Sequence, residues 1–283
     1  MAIRILKAGD IEDKIVSAIN YLSFNLDSEV IQCLNESLAN ESNEAASDAL
    51  RCLIENSNIA PLESIPLCQD TGSFVVFAYM GNELNISGPP LPEIIDSALA
   101  KATLLNNLRA SVLDDPLFER RNTTNNTPAI VHIRIVEGRQ LKLLLAQKGG
   151  GAENMSRLKM FTPSASPQEI VDFVVETIRI AGAKACPPLI VGIGIGGNFE
   201  TCAIMAKEAL FSPLKQPHQN PLYAKLEQSI LAAINATGIG VQGMGGSCTA
   251  LTVHIIDAPC HIASLPVAVN LQCHSHRHYE VIL

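Results

Sequence analysis

The sequence predicts an α+β fold: a mixed β-sheet surrounded by helices and preceded by a helical N-terminal segment. Three observations lead there. Residues 1–60 space their apolar side chains three and four apart, as amphipathic helices do. From Ser73 onward, short runs rich in β-formers alternate with further helical stretches. Glycine-rich turns then punctuate the second half of the chain. No repeat or low-complexity linker interrupts the 283 residues. Residues 1–283 therefore read as one domain, with 1–60 as the helical segment and 61–283 as the core.

The elements follow in order. The stretch from Ile11 to Leu22 is one amphipathic helix, and Ser28 to Leu38 and Glu41 to Asn56 are two more. Cys33 and Cys52 fall inside the last two, where a free thiol is expected as a small buried apolar group. Pro61 and Pro66 are expected to stop any helix before the polar turn Leu67-Cys68-Gln69-Asp70-Thr71-Gly72. A strand begins at Ser73, and 91–108 returns to helix. Ala129 to Glu137 and Leu141 to Gln147 read as two strands joined by a glycine-containing hairpin turn. Helices at 167–183, 198–211 and 221–236 flank an apolar strand from Leu189 to Gly194. Short strands among glycine turns finish the chain, with His274, His276 and His278 expected in an exposed polar tail.

Composition narrows the function classes. The chain is 47% hydrophobic and 17% charged, with a mean hydropathy of +0.22. A surface so poor in charge is expected to be partly covered by a partner. No apolar run reaches 18 residues, which argues against a membrane span. A net charge of −8 without basic clusters argues against nucleic acid. The first residues lack a signal-peptide core, so a cytoplasmic location is expected. The eight cysteines form no CxxC pair and are expected to stay reduced there.

Three clusters carry possible chemistry. Gly192-Ile-Gly-Ile-Gly-Gly197 satisfies GxGxxG between a strand and a helix, which keeps a nicotinamide-binding module as an alternative. No acidic residue closes a second strand about 20 positions on, where that motif needs one. His274 and His278 have HxxxH spacing, but no CxxC pair completes a Cys2His2 zinc site. His261, in a turn ahead of an apolar strand, is the better catalytic candidate. Lastly, Cys68, Cys186 and Cys273 all stand at strand–turn junctions beside prolines or polar residues. Three separate thiolates suit an iron–sulfur cluster with one iron lacking a protein ligand.

Those motifs carry a resemblance. Pro66-Leu-Cys-Gln-Asp-Thr-Gly, Leu108-Arg-Ala-Ser-Val, Asp115-Pro-Leu, Asn126-Thr-Pro-Ala and Lys148-Gly-Gly-Gly-Ala-Glu-Asn occur in the order they take in one family. Ala185-Cys-Pro-Pro, the glycine run from Gly192, Gly238-Ile-Gly and Pro259-Cys-His-Ile-Ala-Ser-Leu-Pro-Val complete the set up to Cys273. The chain resembles the α subunit of class I iron–sulfur fumarate hydratases, which corresponds to the N-terminal half of single-chain members. More distantly it resembles the L-tartrate dehydratase α subunit.

The resemblance implies a [4Fe–4S] cluster on Cys68, Cys186 and Cys273, with one iron free to meet a small dicarboxylate substrate. It implies Asp70 as the proton donor to the leaving oxygen and His261 as an active-site histidine. Gln69, Arg109 and the backbone near Gly150 would bind substrate. The reaction would be the reversible hydration of fumarate to (S)-malate, or the dehydration of L(+)-tartrate to oxaloacetate. The family's swivelling β domain has no counterpart in these residues, so a β subunit is expected to supply it. At Gly245-Gly-Ser247-Cys248-Thr249, Ser-Cys stands where relatives often carry a basic residue and threonine.

Overall fold

A computed structural model describes residues 3–283. The chain opens with β1 (Arg4–Lys7), α1 (Ala8–Phe24), α2 (Ser28–Asn40) and α3 (Glu44–Glu63). Then come β2 (Ser73–Gly81), β3 (Leu84–Ser87) and α4 (Leu91–Leu105). After an irregular stretch, β4 (Ile130–Val136), β5 (Leu141–Lys148), the single turn α5 (Gly150–Glu153) and β6 (Arg157–Phe161) follow. The last elements are α6 (Pro167–Ala181), β7 (Leu189–Gly196), α7 (Phe199–Glu208), α8 (Pro221–Asn235), β8 (Ala250–Ala258), β9 (Leu265–Gln272) and β10 (Arg277–Ile282). The α+β class stands, and the sheets are mixed. No helix among the described residues is long and apolar enough to cross a membrane.

Residues group into two compact units, each discontinuous in sequence. The first holds the described residues through Leu26, then Ile59–Gly150 and Arg277–Leu283; the second holds Asp27–Asn58 and Gly151–His276.

In the first unit the sheet order is β10-β5-β2-β4, with antiparallel pairs except for the parallel β2–β4 edge. The helical stripe Ile11, Ile15, Ile19 and Leu22 of α1 packs with Ile95 and Leu99 of α4. Both lie against Phe74, Val76, Leu143 and Leu145, the residues that alternate onto one sheet face. A two-stranded parallel β1–β3 pair completes this unit.

The expected hairpin between β4 and β5 does not form, because β2 lies between them. The strand β2 is apolar on both faces and nearly all buried, so it takes the sheet's centre. The 137–140 turn wraps its end instead, with Gly81 N–H donating to Gln140 O at 2.8 Å.

In the second unit the order is β6-β9-β7-β8, again antiparallel except for one parallel edge, β7–β8. The strand β7 has two unlike faces. Val191, Ile193 and Ile195 pack into the apolar cluster that holds Val174 and Ile178 of α6 and Ile230 and Ile234 of α8. Gly192 and Gly194 face α7, where a β-carbon would strike the carbonyls of Ala206 and Cys202. Those glycines of the GxGxxG run therefore serve close helix–strand contact.

Three local expectations need correction. Pro61 does not end its helix, since α3 continues to Glu63; in the last turn a proline removes only one amide from the helix. Cys52 is exposed and Cys33 half-buried, so neither is a fully buried group. The histidine-rich tail is not exposed polar chain. It enters β10, which pairs antiparallel with β5, and His276 and Arg277 are buried.

Candidate active site

In the first unit, the polar turn is anchored from both sides. Leu67 N–H donates to Ser23 O on α1 at 2.9 Å. Gly72, at φ +74°, lies so close to the Lys148 carbonyl that any side chain would clash with it. The Ser73–Lys148 pair then starts the β2–β5 ladder. Between these anchors Asp70 is half-buried, with both carboxylate oxygens occupied. Oδ1 accepts from Gly72 N–H at 2.9 Å, and Oδ2 accepts from Gly150 N–H at 2.7 Å. Gly150's amide, expected to meet substrate, is thus given to Asp70. Cys68 is half-buried, its Sγ–H donating to Gln69 Oε1 at 3.6 Å, and Gln69 itself is exposed.

Arg109 is exposed, but its backbone is fixed. Buried Asn126 donates Nδ2–H to Arg109 O at 3.1 Å and accepts from Ser111 N–H at 2.6 Å. That is the work of the Asn126-Thr-Pro-Ala motif: a loop with little regular structure still presents one guanidinium from a defined position.

In the second unit, Cys186 and Cys273 come to the same corner. Cys186 precedes β7 and Cys273 ends β9, strands that pair antiparallel with Ile190 opposite Gln272. Both side chains pack against one apolar cluster, and His274 N–H reaches Cys186 O at 3.4 Å. Cys186 sits in left-handed backbone, φ +54°, after one 3-10 turn and before Pro187-Pro188. Such a conformation is uncommon for a residue with a β-carbon and recurs at functional positions. Gln242 stabilises the corner by donating both its backbone N–H and Nε2–H to Pro187 O, at 2.9 and 2.6 Å.

His261 is elsewhere. It precedes β9, whereas Cys273 follows that strand, so an eight-residue strand separates them, roughly 25 Å at about 3.3 Å per residue. The imidazole is exposed, and its Nδ1 accepts from Ala263 N–H at 3.1 Å, which leaves Nε2 to carry the proton of the neutral ring. Among the described residues, no group of three His, Cys, Asp or Glu side chains is gathered that could hold a metal ion.

The other thiols differ from these. Burial pushes Cys202 up to about 11, and its S–H donates to Gly194 O at 3.1 Å. Burial also raises Cys248, which lies 3.2 Å from Ser37 Oγ. Sequence reasoning passed over the buried polar residues at the β5–β10 end, namely Gln147, Lys148 and Arg277. The Lys-Gly-Gly-Gly run was the available signal.

Comparison with known proteins follows the same line. The family model described as fumarate hydratase (Fumerase) matches residues 12–282. A Methanocaldococcus jannaschii protein, provisionally named L(+)-tartrate dehydratase subunit alpha, is 40% identical over 273 residues, 94% of this chain and 95% of its own. The L(+)-tartrate dehydratase alpha subunits of Escherichia coli O157:H7 and K12 are each 33% identical over 216 residues, 75% of this chain and 70% of theirs.

Proposed function

Because the chain belongs to the fumarate hydratase (Fumerase) family, which embraces class I fumarate hydratases and L-tartrate dehydratase α subunits, we propose that it is the α subunit of a hydro-lyase interconverting fumarate and (S)-malate. The observation that carries this most directly is Asp70. Its carboxylate is held by two backbone amides two residues from a half-buried thiol.

The residues present fit the family's [4Fe–4S] cluster in donor chemistry. Cys68, Cys186 and Cys273 would hold it: soft thiolates at strand mouths, with no disulfide among them. When bound, a cluster with one iron open to substrate supplies Lewis acidity toward a leaving oxygen.

The chain's own residues do the rest. Arg109 offers a planar fork of donors to a substrate carboxylate from its fixed backbone. Gln69 presents an exposed amide beside Cys68 and helps orient the substrate. Asp70 hands a proton to the departing hydroxyl in dehydration and takes it back in hydration. Its amide partners hold its plane fixed, so the proton moves along one direction. His261, at the far end of the second unit's sheet, is given no step. The base that removes the carbon-bound proton would come from a β subunit, as the relatives' naming as alpha subunits supports.

A preference for L-tartrate is the competing substrate reading. It is favoured by the names of the relatives, one of which aligns over nearly the whole of both chains. Anaerobic loading with iron and sulfide, addition of a β subunit, and assays on (S)-malate, fumarate and L-tartrate decide the matter. Malate and fumarate should turn over fastest. Faster turnover of tartrate transfers the assignment to tartrate dehydratase, and inactivity on every 2-hydroxy dicarboxylate overturns the enzyme reading.

A further inference from the structure

The first unit buries a cation with unused hydrogen-bonding capacity. Arg277 opens β10 directly across from Gln147, the last residue but one of β5. Paired residues of an antiparallel ladder share a face, and these two are 2% and 1% exposed. Arg277 Nη1–H donates to Gln147 Oε1 at 3.4 Å, and Ser23 Oγ, whose proton points mainly to Ile19 O at 2.7 Å, lies 3.2 Å from the same oxygen. What remains is all donor: Arg277 Nε and Nη2 and Gln147 Nε2 meet no acceptor. A buried guanidinium with idle N–H groups is costly, so such a group is kept where an acceptor completes it.

The direction of the idle edge is set by Gly149. The position that a β-carbon on Gly149 would take lies 3.7 Å from Arg277 Nη2 and 3.4 Å from Asp70 Oδ2. Gly149 therefore leaves open, beyond its α-carbon, the space a side chain would fill, with a donor on one side and a carboxylate on the other. A carboxylate oxygen in that space would be repelled by Asp70. A water oxygen would not, since it accepts from the guanidinium and donates to the carboxylate.

We propose that Arg277 is a positioning residue for Asp70, acting through one water held over the α-carbon of Gly149. The proposal rests on the role given to Asp70 above. A carboxylate offers about four lone-pair directions. Two go to the amides of Gly72 and Gly150. The bridge takes a third and leaves one for the proton exchanged with substrate. Gly149 then carries no side chain because a methyl, reaching into that space, would crowd the water out.

Gly149→Ala is the sharpest test. The new methyl would touch both neighbours at ordinary van der Waals distances, so the chain should fold as before. In the assembled enzyme, kcat should fall on the order of a hundredfold, the scale of a small misplacement of a reacting group, with KM little changed. Arg277→Met should do the same, and Arg277→Lys should recover part of the loss. Wild-type kcat in Gly149→Ala, or a loss in Arg277→Met carried by KM, overturns the proposal. Crystal structures of the wild-type chain and Gly149→Ala supply a readout independent of turnover. An ordered oxygen bonded to Arg277 Nη2 and Asp70 is expected in the first and not in the second. Its absence from the wild type overturns the bridge, whereas its presence in a chain that proves inactive overturns only the hydro-lyase reading.

Discussion

The two units solve one architectural problem with opposite sequences. Each has a four-stranded sheet with two antiparallel pairings followed by one parallel edge. The central strand of the first, Ser73-Phe-Val-Val-Phe-Ala-Tyr-Met-Gly, carries side chains on both faces. That of the second, Leu189-Ile-Val-Gly-Ile-Gly-Ile-Gly, carries them along one face and, past Ile190, only glycine on the other. The strand ends differ in the same spirit. In the first unit they bury Gln147, Lys148 and Arg277, and Arg277 Nη2 and Asp70 both flank Gly149. In the second, two thiols pack on an apolar cluster. Under the proposed function, the first unit supplies Asp70 and the thiol of Cys68, and the second supplies the thiols of Cys186 and Cys273. Similar topology thus says little about chemistry, which lies in the residues at the strand ends.

The widest separation between the units should appear in ligand loss. Cys186→Ser or Cys273→Ser is expected to abolish both the visible absorbance of the reconstituted protein and its activity, because hydroxyl oxygen is a poor replacement for thiolate on iron. Cys248→Ser should leave both in place, since burial favours its neutral thiol and metal ligands must be deprotonated. Bleaching by Cys248→Ser together with retention by Cys273→Ser would misplace the third ligand.

Asp70→Asn tests the proton-handling side. Asparagine can keep the bond from Gly72 N–H, but its amide nitrogen would face the Gly150 N–H, donor against donor. A loss in kcat of about 10²–10⁴-fold is expected from removing the acid, with the absorbance retained. Parallel loss of absorbance would mean that Asp70 serves the cluster and not the proton.

The glycine face of β7 should be intolerant in a way β2 is not. In Gly194→Ala the new methyl meets the Cys202 carbonyl, which is helix backbone and cannot rotate away. Overpacking of this kind costs about 1–3 kcal/mol, measurable as a lowered denaturation midpoint. A neutral Gly194→Ala would show that α7 can lift from the sheet without cost.

Much of this was legible in the sequence, and the failures have a pattern. Helices with a clear apolar stripe, such as Ile11 to Leu22, were read correctly because periodicity reports burial directly. The β4–β5 hairpin was misread because adjacency in sequence is a weak guide when a more apolar strand, β2, can take the centre. The tail from His274 looked solvent-exposed by composition, but pairing with β5 buries His276 and Arg277. Composition cannot show which polar residues a distant strand will cover. The meeting of Cys186 with Cys273, and of Asp70 with Gly150, likewise depends on ladder register and not on spacing.

A pH dependence further separates the units. In the second, burial lowers the His254 imidazole from 6.5 to about 4. The unfolded chain takes up this proton as pH falls through 6.5, while the folded chain resists until about 4. Its contribution to stability is therefore complete above 6.5 and is lost on acidification, by about 1.4 kcal/mol per pH unit across that window. Denaturation midpoints of wild type and His254→Gln between pH 7 and 4 should converge in slope only above 6.5. Parallel curves throughout would place the acid sensitivity elsewhere.

The smallest expected effect concerns Cys52, and it checks the division of the thiols. Cys52 lies on α3, and its side chain is exposed, whereas Cys202 is fully buried with its S–H bonded to Gly194 O. An exposed thiol has no packing to lose, so Cys52→Ser should shift stability by no more than about 0.5 kcal/mol. Cys202→Ser keeps a donor but puts a more polar group among Ala206 and Ala268, where hydroxyl burial is less favourable than thiol burial. It should be measurably destabilising, by about 1 kcal/mol. Both variants should retain cluster absorbance and turnover. The pair would fail together if Cys52→Ser lost the cluster, because an exposed helical thiol would then belong to the ligand set and the corner at Cys186 and Cys273 would not account for the metal chemistry.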